Sequence, residues 1–292
     1  MRYEGDIFSP HIAGEDYILQ CTIGCSHNQC TFCGMYKTKA YRVRDLKEIL
    51  EDIDQAQMHY GDIEKVFLAD GDALTMSKED LIIILDKLYK VFPGLNYVGT
   101  YATARSILNK TISELIELRN HGLIEAHLGV ESGDREILQQ IRKGVTYEEM
   151  VEAGRKLKKA GIELFATIIL GLAGRTPKTV DHVTNTACIC NDIQPDYLGV
   201  LTVIIEPRTE LFTQYQNGNF QIPLNIEIVQ EMHSLLKDLN LENCGFTSIH
   251  PSNPVYIEGM LPQDKDMLLE TLTCIIEKRD ISLLRPRAAE RV

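Results

Sequence analysis

Short apolar runs alternate along the first two thirds of the chain with longer amphipathic segments. Several runs are apolar almost without interruption, which is typical of parallel strands buried on both faces. The pattern predicts six strands, at Asp16–Thr22, Lys65–Asp70, Asn96–Thr103, Ile124–Val130, Glu163–Leu170 and Asp196–Ile205.

Helices are predicted between the strands. The pairs Ser77 with Asp80 and Thr146 with Glu149 have the spacing of a capping box, so each pair predicts a helix start. After Ser77, apolar residues recur on one helical face, and Gly161 ends the helix that starts at Thr146. The predicted helices cover Arg44–His59, 77–92, 146–160 and Lys178–Asp192.

A repeated strand–helix pattern implies parallel strands joined by right-handed crossovers. Six units are too few for a closed eight-fold barrel. The fold class is therefore α/β, and we predict a partial (β/α)6 TIM-like barrel over residues 1–205, with a doubly wound sheet as the alternative.

The regular alternation of predicted strands and helices ends after residue 205. A polar stretch at Gln214–Gln221 is followed by predicted helices at Ile226–Leu239 and Gln263–Lys278. We expect residues 206–292 to form a C-terminal mixed or helical extension that covers the barrel mouth, with a frayed tail at Arg285–Val292.

The composition argues against some classes of binding partner and location. The 292 residues carry 30 basic and 42 acidic side chains, a formal net charge of −12, which argues against broad charge-driven binding of nucleic acid or membranes. The longest apolar stretch, Phe165–Ala173, is about half a membrane span. No secretory signal is visible in the first residues, so a cytoplasmic location is expected.

Four of the eight cysteines, Cys21, Cys25, Cys30 and Cys33, fall within thirteen residues directly after the first predicted strand. Open-sheet and barrel enzymes build active sites at that end of their strands. Neighbouring thiolates bind soft metals together. A zinc site usually has two cysteine pairs, and only Cys30 and Cys33 form one here, although His27 could be a fourth ligand. An iron–sulfur cube also suits a tight cysteine run, and three ligands leave one iron open.

The pattern Cys25-x4-Cys30-x2-Cys33, with Phe32 before the last cysteine, resembles the cluster loop of the radical S-adenosylmethionine (SAM) superfamily. The commonest form of that loop has three residues in its first gap, whereas this chain has four. The resemblance extends over roughly residues 15–205.

Companion motifs follow at other predicted strand ends. The segment 70–72, Asp-Gly-Asp, lies where the family has its GGE-type motif. The segment 129–133 is similar to the G-x-E-S-G segment of the branch with elongator-type acetyltransferases, methylthiotransferases and anaerobic coproporphyrinogen-oxidase relatives. The segments 141–146 and 169–174 also resemble that branch.

The resemblance implies a [4Fe–4S] cluster on Cys25, Cys30 and Cys33 whose open iron binds SAM. SAM would be cleaved reductively to methionine and a 5′-deoxyadenosyl radical, which abstracts hydrogen from a small, unidentified substrate. An electron donor such as flavodoxin or ferredoxin is implied. By position, the residues expected to bind SAM are Tyr36, Asp70, Gly71, Asp72, Glu131, Ser132, Arg142 or Arg155, Gly171 and Leu172.

Within that set, Asp72 or an adjacent backbone carbonyl is expected to take the SAM ammonium, and Arg142 or Arg155 its carboxylate. Glu131 and Ser132 are assigned to the ribose or the methionine end. Tyr36 is expected to stack on adenine or to close the loop.

The remaining candidates are a loop near the C-terminus and the other cysteines. His250, Ser252 and Asn253 lie in a Pro-rich loop that either touches substrate or is an ordinary turn. Buried packing is expected for Cys21 and for Cys188, Cys190, Cys244 and Cys274. Two other functions stay open: an iron–sulfur electron-transfer or sensor protein that also uses Cys21, and a zinc-stabilised α/β binding module.

Overall fold

The computed structural model describes residues 2–8, 10, 17–278 and 284–286. The predicted strand start at Asp16 and the tail beyond residue 286 lie outside the described residues. The chain forms two compact units. The first contains Met1–Asn28, Met35–Leu128 and Ala153–Leu164, and the second contains Gln29–Gly34, Gly129–Glu152 and Phe165–Val292.

The strands of the described residues follow the predicted order, with short additions. They are β1 (Tyr17–Gln20), β2 (Thr22–Ile23), β3 (Arg42–Val43), β4 (Lys65–Ala69), β5 (Tyr97–Ala102), β6 (Glu125–Glu131), β7 (Glu163–Leu170), β8 (Tyr197–Thr202), β9 (Cys244–Thr247) and β10 (Glu258–Leu261).

One sheet has the order β1-β4-β5-β6-β7-β8-β9-β10, and β2 and β3 form a small antiparallel pair. In the first unit β1, β4, β5 and β6 are parallel, with Gln20 opposite Ala69 and Tyr101 opposite His127. In the second unit β8 lies parallel to β7 and β9, and β10 is antiparallel to β9. Within the described chain the sheet is open, as predicted, because β1 and β10 are not paired with each other.

The helices of the described residues are α1 (Leu46–Tyr60), α2 (Lys78–Val91), α3 (Ala104–Leu108), α4 (Ile112–Asn120), α5 (Arg135–Gln140), α6 (Tyr147–Lys159), α7 (Thr179–Ile193), α8 (Glu210–Gln216), α9 (Asn225–Asp238) and α10 (Lys265–Lys278). A short 3-10 helix covers Ala73–Thr75.

The predicted helix starts are confirmed. The Ser77 hydroxyl accepts the backbone N–H of Asp80 at 3.0 Å. Thr146 and Glu149 form a full capping box, since each side chain accepts the other's backbone N–H, at 3.2 and 2.8 Å. Local capping chemistry therefore positions α2 and α6 as the sequence indicates.

Several elements were not predicted. Helices α3, α4 and α5 are short, and α8 occupies part of the stretch expected to be merely polar. The last segment also adds β9 and β10 to the sheet of the second unit. Buried packing is confirmed for Cys190 and Cys244, but it is wrong for Cys188 and Cys274, which are exposed on α7 and α10. No helix in the described ranges is long and apolar enough to cross a membrane.

Candidate functional site

In the first unit, the turn after β4 lies against the start of the cysteine loop. The Gly71 N–H donates to the Gly24 carbonyl at 3.1 Å. A Cβ placed on Gly71 would lie 3.0 Å from the Cβ of Cys25 and 2.6 Å from Cε2 of Tyr36. Only glycine lets the backbone come this close, so the turn and the loop form one tight contact.

Asp70, which precedes that glycine, is completely buried. Its Oδ2 accepts hydrogen bonds from Gln20 Nε2 at 3.0 Å, the Gly24 N–H at 2.8 Å and Lys39 Nζ at 2.9 Å. Its Oδ1 has no hydrogen-bond partner among the described residues. The Lys39 side chain is only 5% exposed, so it supplies a buried counter-charge.

Asp72, on the other side of Gly71, is also buried. Its carboxylate accepts from the Ser26 hydroxyl, from Thr103 Oγ1 at 2.9 Å and the Thr103 N–H at 3.2 Å, and from Ser106 Oγ at 2.6 Å. Burial raises the pKa of Asp72, and these hydrogen bonds oppose the shift. Four donors fill the acceptor sites of both oxygens, so the side chain joins the cysteine loop to the start of α3.

Tyr36 lies beside this turn and is buried. The ring of Phe8 meets it edge-on with centroids 5.6 Å apart, and Lys39 Nζ lies 5.6 Å from its centroid. Asn28 Nδ2 donates to the Tyr36 carbonyl at 2.8 Å. The tyrosine therefore packs against one side of the Gly71 turn.

The cysteines of the loop differ in burial. Cys21 is fully buried at the end of β1, and burial raises the pKa of its thiol to about 12. It is therefore a neutral thiol packed in the core. Cys25, Cys30 and Cys33 are all half-buried, the setting in which thiolates react and bind metals.

In the second unit, the segment with Cys30 and Cys33 is held by its backbone. The Thr31 N–H donates to the Ile141 carbonyl, and the Leu211 N–H donates to the Thr31 carbonyl, both at 2.9 Å. Phe32 packs on an apolar cluster around α5 and β7. Both cysteines are therefore presented from an anchored segment of chain.

Within the described ranges, no three Cys, His, Asp or Glu side chains form a group that could hold a metal ion. The thiolates of a [4Fe–4S] cube each bind a different iron and need no common point. Three half-buried thiols within one short loop suit such a cube.

Glu131 ends β6 with a φ of 65°, an uncommon conformation for a residue other than glycine. Its Oε1 pairs with Lys143 Nζ at 2.8 Å, and both side chains are largely buried. A Cβ on Gly129 would lie 2.2 Å from that same Oε1, so the missing side chain gives the carboxylate its space. The backbone is thus held in a sparse region where functional residues concentrate.

The next residue, Ser132, is buried in a hydrogen-bond chain. The Asp134 N–H donates to Ser132 Oγ at 3.0 Å, and this hydroxyl donates to His182 Nδ1 at 2.9 Å. His182 Nε2 donates to the Ile169 carbonyl at 3.1 Å. Burial lowers the pKa of His182 to about 4, so its ring is neutral and joins β6, β7 and α7.

The two candidate arginines are on the surface. Arg142 makes an ion pair with Glu210, Nη1 to Oε2 at 2.8 Å, and its side chain is 59% exposed. Arg155 lies on α6 in the first unit and is also exposed. Neither position has the burial of Asp70 or Glu131.

The predicted adenine turn after β7 is covered by α9. Gly171 has a φ of 80°, and its N–H donates to Glu231 Oε2 at 2.8 Å. A Cβ on Gly171 would lie 3.0 Å from Ile228 and 3.3 Å from Pro223. Leu172 is buried in the apolar cluster around α5 and β7. In this arrangement the backbone of the turn is tied to a buried carboxylate.

The Pro-rich loop near the C-terminus is bonded to the end of β8. Thr202 donates its N–H to Ser252 Oγ at 3.0 Å and its hydroxyl to Asn253 Oδ1 at 2.8 Å. Asn253 Nδ2 also donates to two carbonyls. Ser252 Oγ bonds Nδ1 of the half-buried His250 at 2.7 Å. Ser252 and Asn253 are fully buried and shape the loop, which leaves His250 as its accessible member.

Sequence reasoning missed Lys39, His182 and Glu231, which hold the three candidate segments. None of them belongs to a spaced motif, and each lies at least eleven residues from the group it bonds. For His182 and Glu231 the only signal was their type, since a titratable residue on an otherwise apolar helix face needs a partner.

A family model described as "Radical SAM superfamily" matches residues 19–187, more than half of the chain. The heme chaperone HemW of Bacillus subtilis is 21% identical over 206 residues, 68% of this chain and 53% of the relative. The chain thus spans about half the length of that curated relative.

Two solved structures share the fold. The coproporphyrinogen III oxidase HemN of Escherichia coli, a radical SAM enzyme, has a TM-score of 0.55 at 16% identity, over 76% of this chain and 50% of that one. Methylornithine synthase has a TM-score of 0.51 at 18% identity, over 94% and 84%. The predicted partial TIM-like fold is thereby confirmed. The predicted branch is confirmed by the curated relatives, which include HemW and a tRNA-2-methylthio-N(6)-dimethylallyladenosine synthase of Chlorobium phaeobacteroides, 24% identical over 64% of this chain and 42% of the relative.

Proposed function

This chain belongs to the radical SAM superfamily, whose members use a [4Fe–4S] cluster and SAM, and we propose that it is an enzyme that cleaves SAM reductively to begin a radical reaction on a small substrate. The observation that carries this proposal is the contact of Gly71 with Cys25, since it brings a glycine turn against a half-buried thiol. A turn at a strand end beside a metal loop is where a cofactor would be held.

Cys25, Cys30 and Cys33 are the proposed ligands of the cluster. When bound, the cluster and SAM supply the one-electron chemistry that opens a carbon–sulfur bond of SAM and removes a hydrogen atom from the substrate. The chain binds and orients both groups and keeps water away from them.

We do not assign the SAM ammonium to the Asp72 side chain, because four donors already fill its acceptor sites. We assign the ammonium to backbone carbonyls of the Asp70–Asp72 turn. Lys39 and Gln20 hold Asp70, and Asp72 holds Ser26, so the turn keeps its shape before SAM arrives.

Glu131 is the proposed contact for the SAM ribose or methionine end, because Lys143 fixes its carboxylate in a strained strand end. Ser132 supports it by bonding His182. Arg142 is assigned to the SAM carboxylate, which would replace Glu210 as its partner, and Arg155 is the alternative. The Gly171–Leu172 backbone is assigned to the adenine.

The competing functions have less support. A four-cysteine electron carrier would need Cys21 as a ligand, and that thiol is fully buried with a pKa raised to about 12. A zinc module lacks a group of converging ligands among the described residues. We place the enzyme in a reducing compartment with a flavodoxin or ferredoxin as electron donor, and we do not assign nucleic acid as its substrate.

The test is anaerobic reconstitution with iron and sulfide, followed by reduction with dithionite in the presence of SAM. The expected product is 5′-deoxyadenosine together with methionine. Cys25→Ala should abolish the product, and the matched control Cys188→Ala should leave it unchanged, because that exposed thiol is on α7. Stoichiometric zinc and no product after reconstitution would overturn the proposal.

A further inference from the structure

The parallel strands of the first unit have two chemically different faces. Successive strand residues point to opposite faces. One face is buried and aliphatic, with Val66, Leu68, Val98, Ala126 and Leu128. The alternate positions instead hold aromatic and titratable side chains, and we name these five residues the polar face: Phe67, Tyr97, Tyr101, Glu125 and His127.

Three rings of the polar face pack edge to face. The centroids of Phe67 and Tyr101 are 4.8 Å apart, those of Phe67 and His127 are 5.3 Å apart, and those of Tyr101 and His127 are 5.8 Å apart. Each ring therefore fixes the other two. Burial raises the pKa of Tyr101, so its hydroxyl stays protonated, and that hydroxyl makes no hydrogen bond within the described chain.

Glu125 is the charged member of the polar face and is only 6% exposed. Its Oε1 accepts two hydrogen bonds, from the Tyr97 hydroxyl at 2.5 Å and from His127 Nε2 at 2.6 Å. Its Oε2 accepts none from the described residues. A carboxylate oxygen can accept two hydrogen bonds, so one oxygen is used fully and the other offers an open acceptor.

The polar face continues directly to the proposed SAM turn. Leu68 is opposite Thr100 in the sheet, so Tyr101 is level with Ala69, the residue that precedes Asp70. Tyr101 is in turn opposite His127. A substrate that reaches the polar face would thus lie next to the turn.

Resting on the proposed function, we propose that the polar face binds an alkylammonium group of the substrate. A cationic nitrogen donates to Glu125 Oε2, the oxygen that Tyr97 and His127 leave open. The ring of Tyr101, which is only partly buried, offers an electron-rich face to the same cation. An anionic substrate would be repelled here, and an uncharged apolar one would leave Oε2 without a partner.

The test is equilibrium binding of benzylammonium, with neutral benzyl alcohol as its isostere, measured by calorimetry on the reconstituted full chain. We expect the ammonium to bind about ten-fold tighter than the alcohol, since a charged hydrogen bond and a cation–π contact distinguish them. Glu125→Gln should remove this preference. The matched control Glu64→Gln, an exposed acid of the same unit, should keep it.

Tyr101→Leu is a second variant that leaves the carboxylate in place, and it should weaken benzylammonium binding several-fold. Equal binding of the two probes to the wild type, or an unchanged preference in a folded Glu125→Gln, would overturn the proposal. If Glu125→Gln fails to fold, the proposal is still tested by the comparison of the two probes on the wild type and by benzylammonium binding to Tyr101→Leu.

The proposed function is tested separately, by measuring the 5′-deoxyadenosine that forms from SAM when no amine is added. If that product forms and the amine preference is absent, only the substrate assignment is wrong. If the amine preference is present and no product forms, the polar face stands and the proposed enzyme activity is wrong.

Discussion

Lys39 Nζ lies 2.9 Å from Asp70 Oδ2, and the two side chains are 5% and 0% exposed. The lysine follows the cysteine loop, whereas the aspartate begins the Gly71 turn. One buried ion pair therefore fixes the turn to the loop that carries Cys25. Because both charges are out of water, removing one of them leaves the other uncompensated.

Lys39→Met should accordingly lower the free energy of unfolding by about 3–5 kcal/mol, the usual cost of breaking a buried pair. It should also weaken binding of S-adenosylhomocysteine, a non-reactive SAM analogue, because the turn loses its anchor. Urea unfolding and calorimetry measure the two effects. The matched control is Arg42→Met, which removes an exposed ion pair with Glu4 and should cost little. Similar losses in both variants would contradict the role of the buried pair.

Gly71→Ala tests the close approach. Its Cβ would lie 2.6 Å from Tyr36 and 3.0 Å from Cys25, so the turn must move away from the loop. We expect about 1–3 kcal/mol of lost stability, as for other overpacked sites, together with loss of S-adenosylhomocysteine binding. Gly218→Ala meets no atom within 4 Å and should keep full binding. Normal analogue binding by Gly71→Ala would show that the contact is not needed.

His182 makes the stability depend on pH. Burial lowers its pKa to about 4, below the value of about 6.5 expected in the unfolded chain. The unfolded state therefore binds more protons between these values, so His182 contributes its full stability above pH 6.5 and loses it as the pH falls towards 4. At pH 5 the loss relative to pH 7.5 should be about 2 kcal/mol.

The free energy of unfolding is measured by urea unfolding for the wild type and for His182→Gln, at pH 5 and at pH 7.5. Contributions of the other titrating groups are the same in both proteins, so they cancel when the two pH-dependent changes are subtracted. The wild type should lose about 2 kcal/mol more than the variant over this interval. Equal losses would mean that the histidine is not held neutral in the fold.

Cysteine labelling tests which thiols are buried, which are exposed and which bind the proposed cluster. Brief treatment of the cluster-free protein with iodoacetamide should modify Cys188 and Cys274, which are exposed, and spare Cys21, Cys190 and Cys244, which are buried. Cys25, Cys30 and Cys33 should be modified before reconstitution and protected after it. Mass spectrometry of peptides reads each site. Modification of Cys21 in the native protein, or equal labelling of Cys30 with and without cluster, would contradict the assignment.

Periodicity predicted the six core strands and the main helices because parallel strands and amphipathic helices carry local patterns. The resemblance to the family's GGE-type motif located the Asp70–Asp72 turn. The sequence could not predict that Ser26, Thr103 and Ser106 donate hydrogen bonds to both oxygens of the Asp72 carboxylate, because those donors come from separate segments. Lys39 and His182 were missed for the same reason: their partners are distant along the chain.

The most direct measurement of the central claim is electron–nuclear double resonance on the reduced, reconstituted protein with SAM labelled with ¹⁵N at its amino group. Three cysteine ligands leave one iron to bind SAM, so the account predicts a ¹⁵N hyperfine coupling to the cluster in the wild type and in Cys21→Ala. A cluster that shows no coupling to the labelled nitrogen, or one that is lost in Cys21→Ala, would contradict it.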